Sequence, residues 1–312
     1  MSSNSGERGR RPVVLCAGIT VEDFIFKVER FPAPGEKLHA ESVLAITGGC
    51  AANAAIAVAR LGGIARFAGP VGTDDASRRI IAGLTRAGVD VSGVQRVEGG
   101  SVSVSGIFID SAGEKMVATR RGEKLANARP RDAQALVADI DVVMADNRFP
   151  DFVQPICEAA GARGIPVIVD GDRATQLDDP LFAVATHVVF SSEALRASSG
   201  CSDLAAALRS AAATIDGFLA VTNGPDEVLW MENGGVRAMP VFAVEAIDTL
   251  GAGDTFHGAF TLMLAEGSDA VTAMRFAAAA AAVKCTRFGG ISGTPLRTEV
   301  EAFLAARAPG LK

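Results

Sequence analysis

Ile247-Asp248-Thr249-Leu250-Gly251-Ala252-Gly253-Asp254-Thr255-Phe256-His257-Gly258-Ala259-Phe260 joins an apolar, strand-like run (241–247) to a segment that reads as a helix over 256–264. Gly251, Ala252 and Gly253 carry almost no side chain, so their backbone N–H groups can converge on one point. A helix N-terminus behind them adds partial positive charge, and together these favour a bound anion such as phosphate. A carboxylate at Asp254 repels phosphate. It makes sense there if it takes the proton from a nucleophile attacking that phosphate. A dinucleotide fingerprint would need a third glycine where Phe256 stands, and a Walker-type loop would need a Gly-Lys-Ser/Thr run that the chain lacks. The plain alternative is a tight turn with Asp254 as a helix-start residue.

Outward from this stretch, the composition suits a globular chain with a sizeable core: 312 residues, 49% hydrophobic and 21% charged. The net charge of −6, with no basic cluster beyond Arg8, Arg10 and Arg11, argues against a nucleic-acid partner. Five cysteines (Cys16, Cys50, Cys157, Cys201, Cys285) in no Cys-x-x-Cys spacing read as small core residues in a reducing compartment. No signal peptide precedes Val13, and the Ala-rich run 277–283 is too short for a membrane span, so a cytoplasmic location is expected.

Residues 1–12 are expected to be a disordered tail ahead of one α/β domain, 13–312. The continuous apolar run 13–20 reads as a buried parallel strand, with Asp23 just past its carboxyl end, where ligands bind in open α/β sheets. Strands and helices then alternate: strands at 141–145, 165–170, 187–190 and 218–222, helices at 75–87, 151–162, 204–215, 273–285 and 299–306. That alternation predicts a parallel sheet with helices on both faces. Two patches break it, 24–47 and 101–121, with short alternating segments (37–43 among them). They read as strand pairs of a small accessory sheet, marginal alone and suited to covering a ligand or a partner. Gly48-Gly49-Cys50-Ala51-Ala52-Asn53 opens a helix to about residue 61. Asp146-Asn147-Arg148, Asp170-Gly171-Asp172-Arg173, Ser191-Ser192-Glu193 and Thr222-Asn223-Gly224 each follow a strand, which favours an active-site rim over four separate helix caps.

The run 248–260 closely resembles the C-terminal signature of the ribokinase-like (PfkB) carbohydrate kinases, and 48–55 resembles their N-terminal one. The resemblance implies a ribokinase-like fold, with a mostly parallel central sheet, helices on both faces and a β-sheet lid. It implies that Asp254 is the catalytic base, with Gly251, Ala252 and Gly253 as the anion hole. Asp23, Gly48, Gly49 and Asn53 would contact the sugar. Glu193, Thr222 and Gly224, with Gly251 and Gly253, would serve the nucleotide, and Glu193 and Asp170 would hold Mg2+ through water. A monovalent cation (K+) would sit on backbone carbonyls of Asp248, Cys285 and Gly290. Phe190 departs from the family's Asn-x-x-Glu motif, of which Glu193 is the other half. Cys50 stands where ribokinase proper has lysine, which argues against ribose.

Within the family, the stretches 17–21, 141–148, 169–172, 256–259 and 284–287 look like those of sulfofructose kinases. Lys37 and Arg148 match two basic residues that hold the sulfonate there, and Thr119 stands at the position of an asparagine. The implied activity is ATP-dependent phosphorylation of a primary hydroxyl on a ketohexose or a 6-substituted, sulfofructose-like ketose, by a homodimer joined through the lid. One rival is a nucleoside kinase of the same fold, which would need an aromatic clamp for the base. The chain has no Tyr and one Trp (Trp230), leaving Phe24 and Phe26. The other is a non-catalytic sugar-binding regulator, against which the intact Gly251-Ala252-Gly253-Asp254 argues.

Overall fold

Val13–Ala17 (β1) is five apolar residues, all buried, and such a run is stable only as a strand covered on both faces. The computed structural model describes residues 10–307 and places β1 inside a large sheet. Next come β2 (Val21–Lys27), β3 (Ser42–Gly48), α1 (Cys50–Arg60), β4 (Ile64–Ala68), β5 (Pro70–Val71), α2 (Asp75–Arg86) and β6 (Gln95–Arg96). The middle of the chain forms β7 (Ser103–Ile109), β8 (Lys115–Arg120), α3 (Ala133–Leu136), β9 (Val142–Asp146), α4 (Pro150–Gly161), β10 (Val167–Gly171) and α5 (Pro180–Ala183). Then follow β11 (His187–Ser191), α6 (Ser192–Ser199), α7 (Leu204–Ala212), β12 (Phe218–Thr222), β13 (Val228–Glu232) and β14 (Gly235–Met239). Helices α8 (Ala252–Ala265), α9 (Ala270–Cys285) and α10 (Arg297–Arg307) complete the described chain, with a 3-10 turn at Gly290–Gly293.

The main sheet has the order β14-β13-β12-β11-β10-β9-β1-β4. It is parallel from β12 to β4, and β13 and β14 add antiparallel. Strand alternation sends Val14, Cys16, Met144, Ile168 and Val189 into one core with α1, α8 and α9. Val13, Leu15, Val143, Val169 and Phe190 enter the other, under α4 and α7. The second sheet, β3-β2-β7-β8, is the expected accessory sheet. It rests on the rest of the molecule through Ile25, Ile107 and Ile109 packed with Leu44, Ile46, Leu250 and Phe288.

Several expectations need correction. No strand forms over 241–247; the hairpin β13–β14, unforeseen, takes the sheet edge, and Ile247 and Asp248 instead donate their N–H groups to the Cys285 carbonyl at 2.8 and 3.1 Å. The segment 37–43 is mostly loop, and the strand lies at Ser42–Gly48, where alternation lets Ile46 reach the small core. Helix α8 starts at Ala252 rather than 256, because Gly251 takes the left-handed conformation (φ 76°) that turns the chain into it. Of the tail 1–12, residues 1–9 lie outside the described residues. The Pro12 carbonyl accepts the Ile64 N–H at 2.9 Å, beside the start of β1.

Candidate active site

Asp254 stands in the first turn of α8, half-buried. The first N–H groups of a helix have no intrahelical acceptor, and those of Gly253 and Asp254 are in that position. The Ala252 N–H instead turns back to the Thr249 carbonyl at 3.2 Å. Asn53, in the first turn of α1, donates from Nδ2 to Asp254 Oδ2 at 2.6 Å. Burial raises the Asp254 carboxyl above its ordinary value, and the Asn53 bond opposes that rise. Asn53 Oδ1 is buried with no hydrogen-bond partner, an acceptor facing nothing of its own chain.

The accessory sheet contributes a polar row. Asp23 in β2 lies opposite Ser105 in β7, which lies opposite Thr119 in β8, and residues directly opposite share a face. The Ser105 and Thr119 hydroxyls are 3.1 Å apart. Burial pushes Asp23 up to about 6, with the Ser105 hydroxyl holding it down and the Asp254 charge adding to the rise. Asp23 therefore lies within the field of Asp254. Gly48 is required beside them, since a Cβ there would lie 1.9 Å from Asp23 Oδ2. Gly49 caps α1 at φ 96°. Phe24 and Phe26 alternate with Asp23 and Ile25 and so lie on the opposite face, where Phe26 stacks on Phe108 with centroids 5.3 Å apart. An aromatic clamp facing Asp23 is therefore absent from these two positions.

Main-sheet strand ends close the site. Asp146, at the end of β9, accepts N–H bonds from Ile19 (2.7 Å), Ala51 (3.1 Å) and Arg148 (3.0 Å), tying β1, α1 and β9 together. The Arg148 guanidinium bonds to the Asp172 carboxylate, just past β10, and the Cys50 thiol lies 3.7 Å from the same carboxylate. Arg148 is thus matched by an acid of its own chain. Lys37 sits in the loop between β2 and β3 rather than on a strand, and Glu36 beside it pairs with Arg30. The structure does not join Lys37 and Arg148 into a cation pair.

Asp170, Asp254 and Cys50 each offer an atom within 4.8 Å of the others. Burial pushes Asp170 up to about 8, although His257 draws it down. His257, one turn after Asp254 on α8, faces the Gly253 carbonyl at Nδ1 (2.8 Å) and both the Val189 carbonyl (3.2 Å) and Asp170 (3.4 Å) at Nε2. Burial disfavours its charge, but Asp170 and the two carbonyls outweigh it and raise its pKa. Acceptors at both ring nitrogens favour the protonated ring of His257. Sequence reasoning missed Ser105 and His257, and it left Asp172 as one rim residue among many. The signal for His257 was its i+3 spacing from Asp254. A hard divalent cation fits this oxygen-rich cluster, where the charges of Asp172 and Asp254 raise Asp170 and that of Asp172 raises Asp254.

Glu193 is exposed in the first turn of α6, and Thr222 ends β12, its hydroxyl bonded to the Phe190 carbonyl at 3.4 Å. Gly224 lies in the turn after it at φ 60°. Two strand spacings, about 10 Å, separate β12 from β10, a distance that an extended triphosphate can span. The expected monovalent-cation site does not fit. Two of its three expected carbonyls are taken: that of Cys285 accepts two backbone N–H groups, and that of Asp248 accepts the Lys284 ammonium at 2.6 Å.

The family described as pfkB family carbohydrate kinase matches residues 12–297. The ribokinase of Bacillus subtilis (strain 168) is 29% identical over 285 residues, covering 91% of this chain and 96% of that protein. An ATP-dependent ribose-1-phosphate kinase of Halopiger xanaduensis is 31% identical, covering 94% of this chain and 98% of that one. Among solved structures, a candidate ribokinase from Agrobacterium tumefaciens gives a TM-score of 0.91 at 36% identity over 95% of this chain and 99% of that one. Arabidopsis thaliana ribokinase complexed with ribose and ATP gives 0.81 at 25% identity over 94% and 98%.

Proposed function

The chain belongs to the pfkB family of carbohydrate kinases, and we propose that it transfers the γ-phosphoryl of ATP to the primary hydroxyl of an uncharged ketohexose. The observation that carries this reading is the Asn53–Asp254 contact at the start of α8. Asn53 occupies Asp254 Oδ2 and leaves Oδ1 for the hydroxyl that gives up its proton. The Gly253 and Asp254 N–H groups and the α8 dipole face the charge on the phosphoryl in transit, with Gly251 and Ala252 forming the turn that presents them. Asp23, Asn53 Oδ1 and Thr119 are acceptors for sugar hydroxyls, and Gly48 and Gly49 let the sugar approach. Glu193, Thr222 and Gly224 bind on the nucleotide side. Glu193 and Asp170 would hold Mg2+ through water, which supplies positive charge against the phosphates.

The charge balance favours an uncharged sugar. Asp23, Asp172 and Asp254 face the site, while Arg148 is already paired with Asp172, so a sulfonate or phosphate tail would meet a surplus of carboxylates. Cys50 beside Asp172, in place of a lysine, supports a ketohexose over ribose. The names of the relatives favour a pentose, which is the second reading. Comparing kcat/KM for fructose, its 6-phospho and 6-sulfo forms, ribose, ribose 1-phosphate and adenosine decides among them. Fructose is expected to lead; preference for ribose would install the pentose reading, and preference for an anionic form would overturn the charge argument.

Val43 and Met116, on the Phe26–Phe108 face of the accessory sheet, are 56% and 47% exposed, and a second copy of the chain would cover them. Light scattering is expected to give twice the monomer mass, and Val43→Glu with Met116→Glu to halve it. A monomeric wild type would remove the lid-to-lid dimer.

A further inference from the structure

Lys284 is fully buried in the last turn of α9, and the chemistry above makes no use of it. Its ammonium donates to the Asp248 carbonyl at 2.6 Å and lies 3.4 Å from Asp248 Oδ1. The same Asp248 carboxylate accepts the N–H groups of Leu250 (2.8 Å), Gly289 (2.9 Å) and Gly290 (2.7 Å). One acid thus gathers two loops, and one ammonium neutralises it. Both loops lead to the site: Leu250 precedes the Gly251 turn into α8, and Ile291 N would be 3.4 Å from a Cβ at Gly251.

A monovalent cation at this place would have to share the Asp248 carbonyl with an ammonium, and the Cys285 carbonyl is already filled by two N–H donors. Like charges so close together in a buried setting repel strongly. We propose that Lys284 is the resident cation of the loop, a positioning residue that holds Asp248 and the anion hole in register and makes the enzyme indifferent to K+. An amine on a tethered side chain cannot leave, so the loop is set whatever the surrounding salt. The proposal rests on the kinase reading for its effect on turnover, but not for its effect on ion binding.

The test compares the wild type in about 0.15 M KCl with choline chloride at equal ionic strength, reading both the Tm of the unliganded protein and sugar phosphorylation. The expected result is the same Tm in both salts and kcat/KM within about twofold. A Tm that climbs with K+ concentration, as a specifically bound ion requires, would overturn the proposal even if no sugar substrate had been found. Lys284→Ala and Lys284→Met extend it. Turnover of both in choline should fall by roughly 10- to 100-fold, the scale expected when a catalytic group is misplaced. K+ should restore turnover and raise Tm in the Ala variant, which leaves room for an ion, and not in Met, which fills it. Full turnover of either variant in choline, or equal rescue of both, would also overturn it. If neither variant folds, the wild-type comparison alone decides.

Discussion

At the residue scale, the proposed reaction rests on Asp254 and the groups that aim it. Asp254→Asn keeps the shape but removes the base, so kcat is expected to fall by roughly 10²–10⁴ with little change in nucleotide affinity. A coupled kinase assay beside an ATP titration measures both, and turnover within a few-fold of wild type would return Asp254 to the role of a helix-start residue. Gly48 offers a sharper probe, because it touches no reacting atom. The added methyl of Gly48→Ala meets Asp23 Oδ2 at 1.9 Å, so Asp23 must leave the place proposed for its bond to the sugar. A loss in kcat/KM of roughly 10²-fold is expected with the Tm nearly kept. Unchanged kinetics would mean that Asp23 does not hold the sugar.

At the element scale, the accessory sheet is the least anchored part of the chain. Its own core is Ile25, Ile107 and Ile109, and β8 is exposed along its whole length. Such a unit opens at lower free energy than the main sheet, and a sugar bonded to Asp23 would hold it down. Hydrogen exchange in β2, β7 and the 28–41 loop is therefore expected to slow when sugar binds, while α9 stays unchanged. Equal exchange with and without sugar would count against a closing lid. Element types followed legible physics: β1, β9, β10 and β12 are continuous apolar runs with helices between them. The misreadings lay at the sheet edge and the loops. The run 241–247 is as apolar as a strand, yet β13 and β14 pair instead, since their Asn233-Gly234 link makes a tight turn (φ 50° and 76°) that the later run lacks.

At the scale of the whole molecule, the buried acids set the response to pH. Burial raises Asp23 and Asp146 to about 6 from the ordinary 3.8. The folded state therefore keeps protons that the unfolded chain releases, and these groups withdraw stability as pH climbs from about 4 through 6. His257 has the same sign: its raised value makes its contribution full below the unfolded pKa and lost as pH rises through the folded one. His187, lowered by burial, acts the opposite way. The Tm of the unliganded protein is expected to fall between about pH 5 and pH 8, and Asp23→Asn to flatten the lower part of that slope. A Tm that rises over the interval would contradict it. The sequence by itself determined the parallel architecture and the Gly251-Ala252-Gly253-Asp254 turn, because an apolar run and a helix start are properties of contiguous residues. Only the tertiary structure decided what each charge faces. Asn53 meets Asp254 across 201 positions of sequence, Arg148 spends its charge on Asp172, and Lys284 takes the place expected of a metal ion. A buried charge must find a partner, and which one is within reach depends on how strands and helices are stacked, which residue types along the chain do not encode locally.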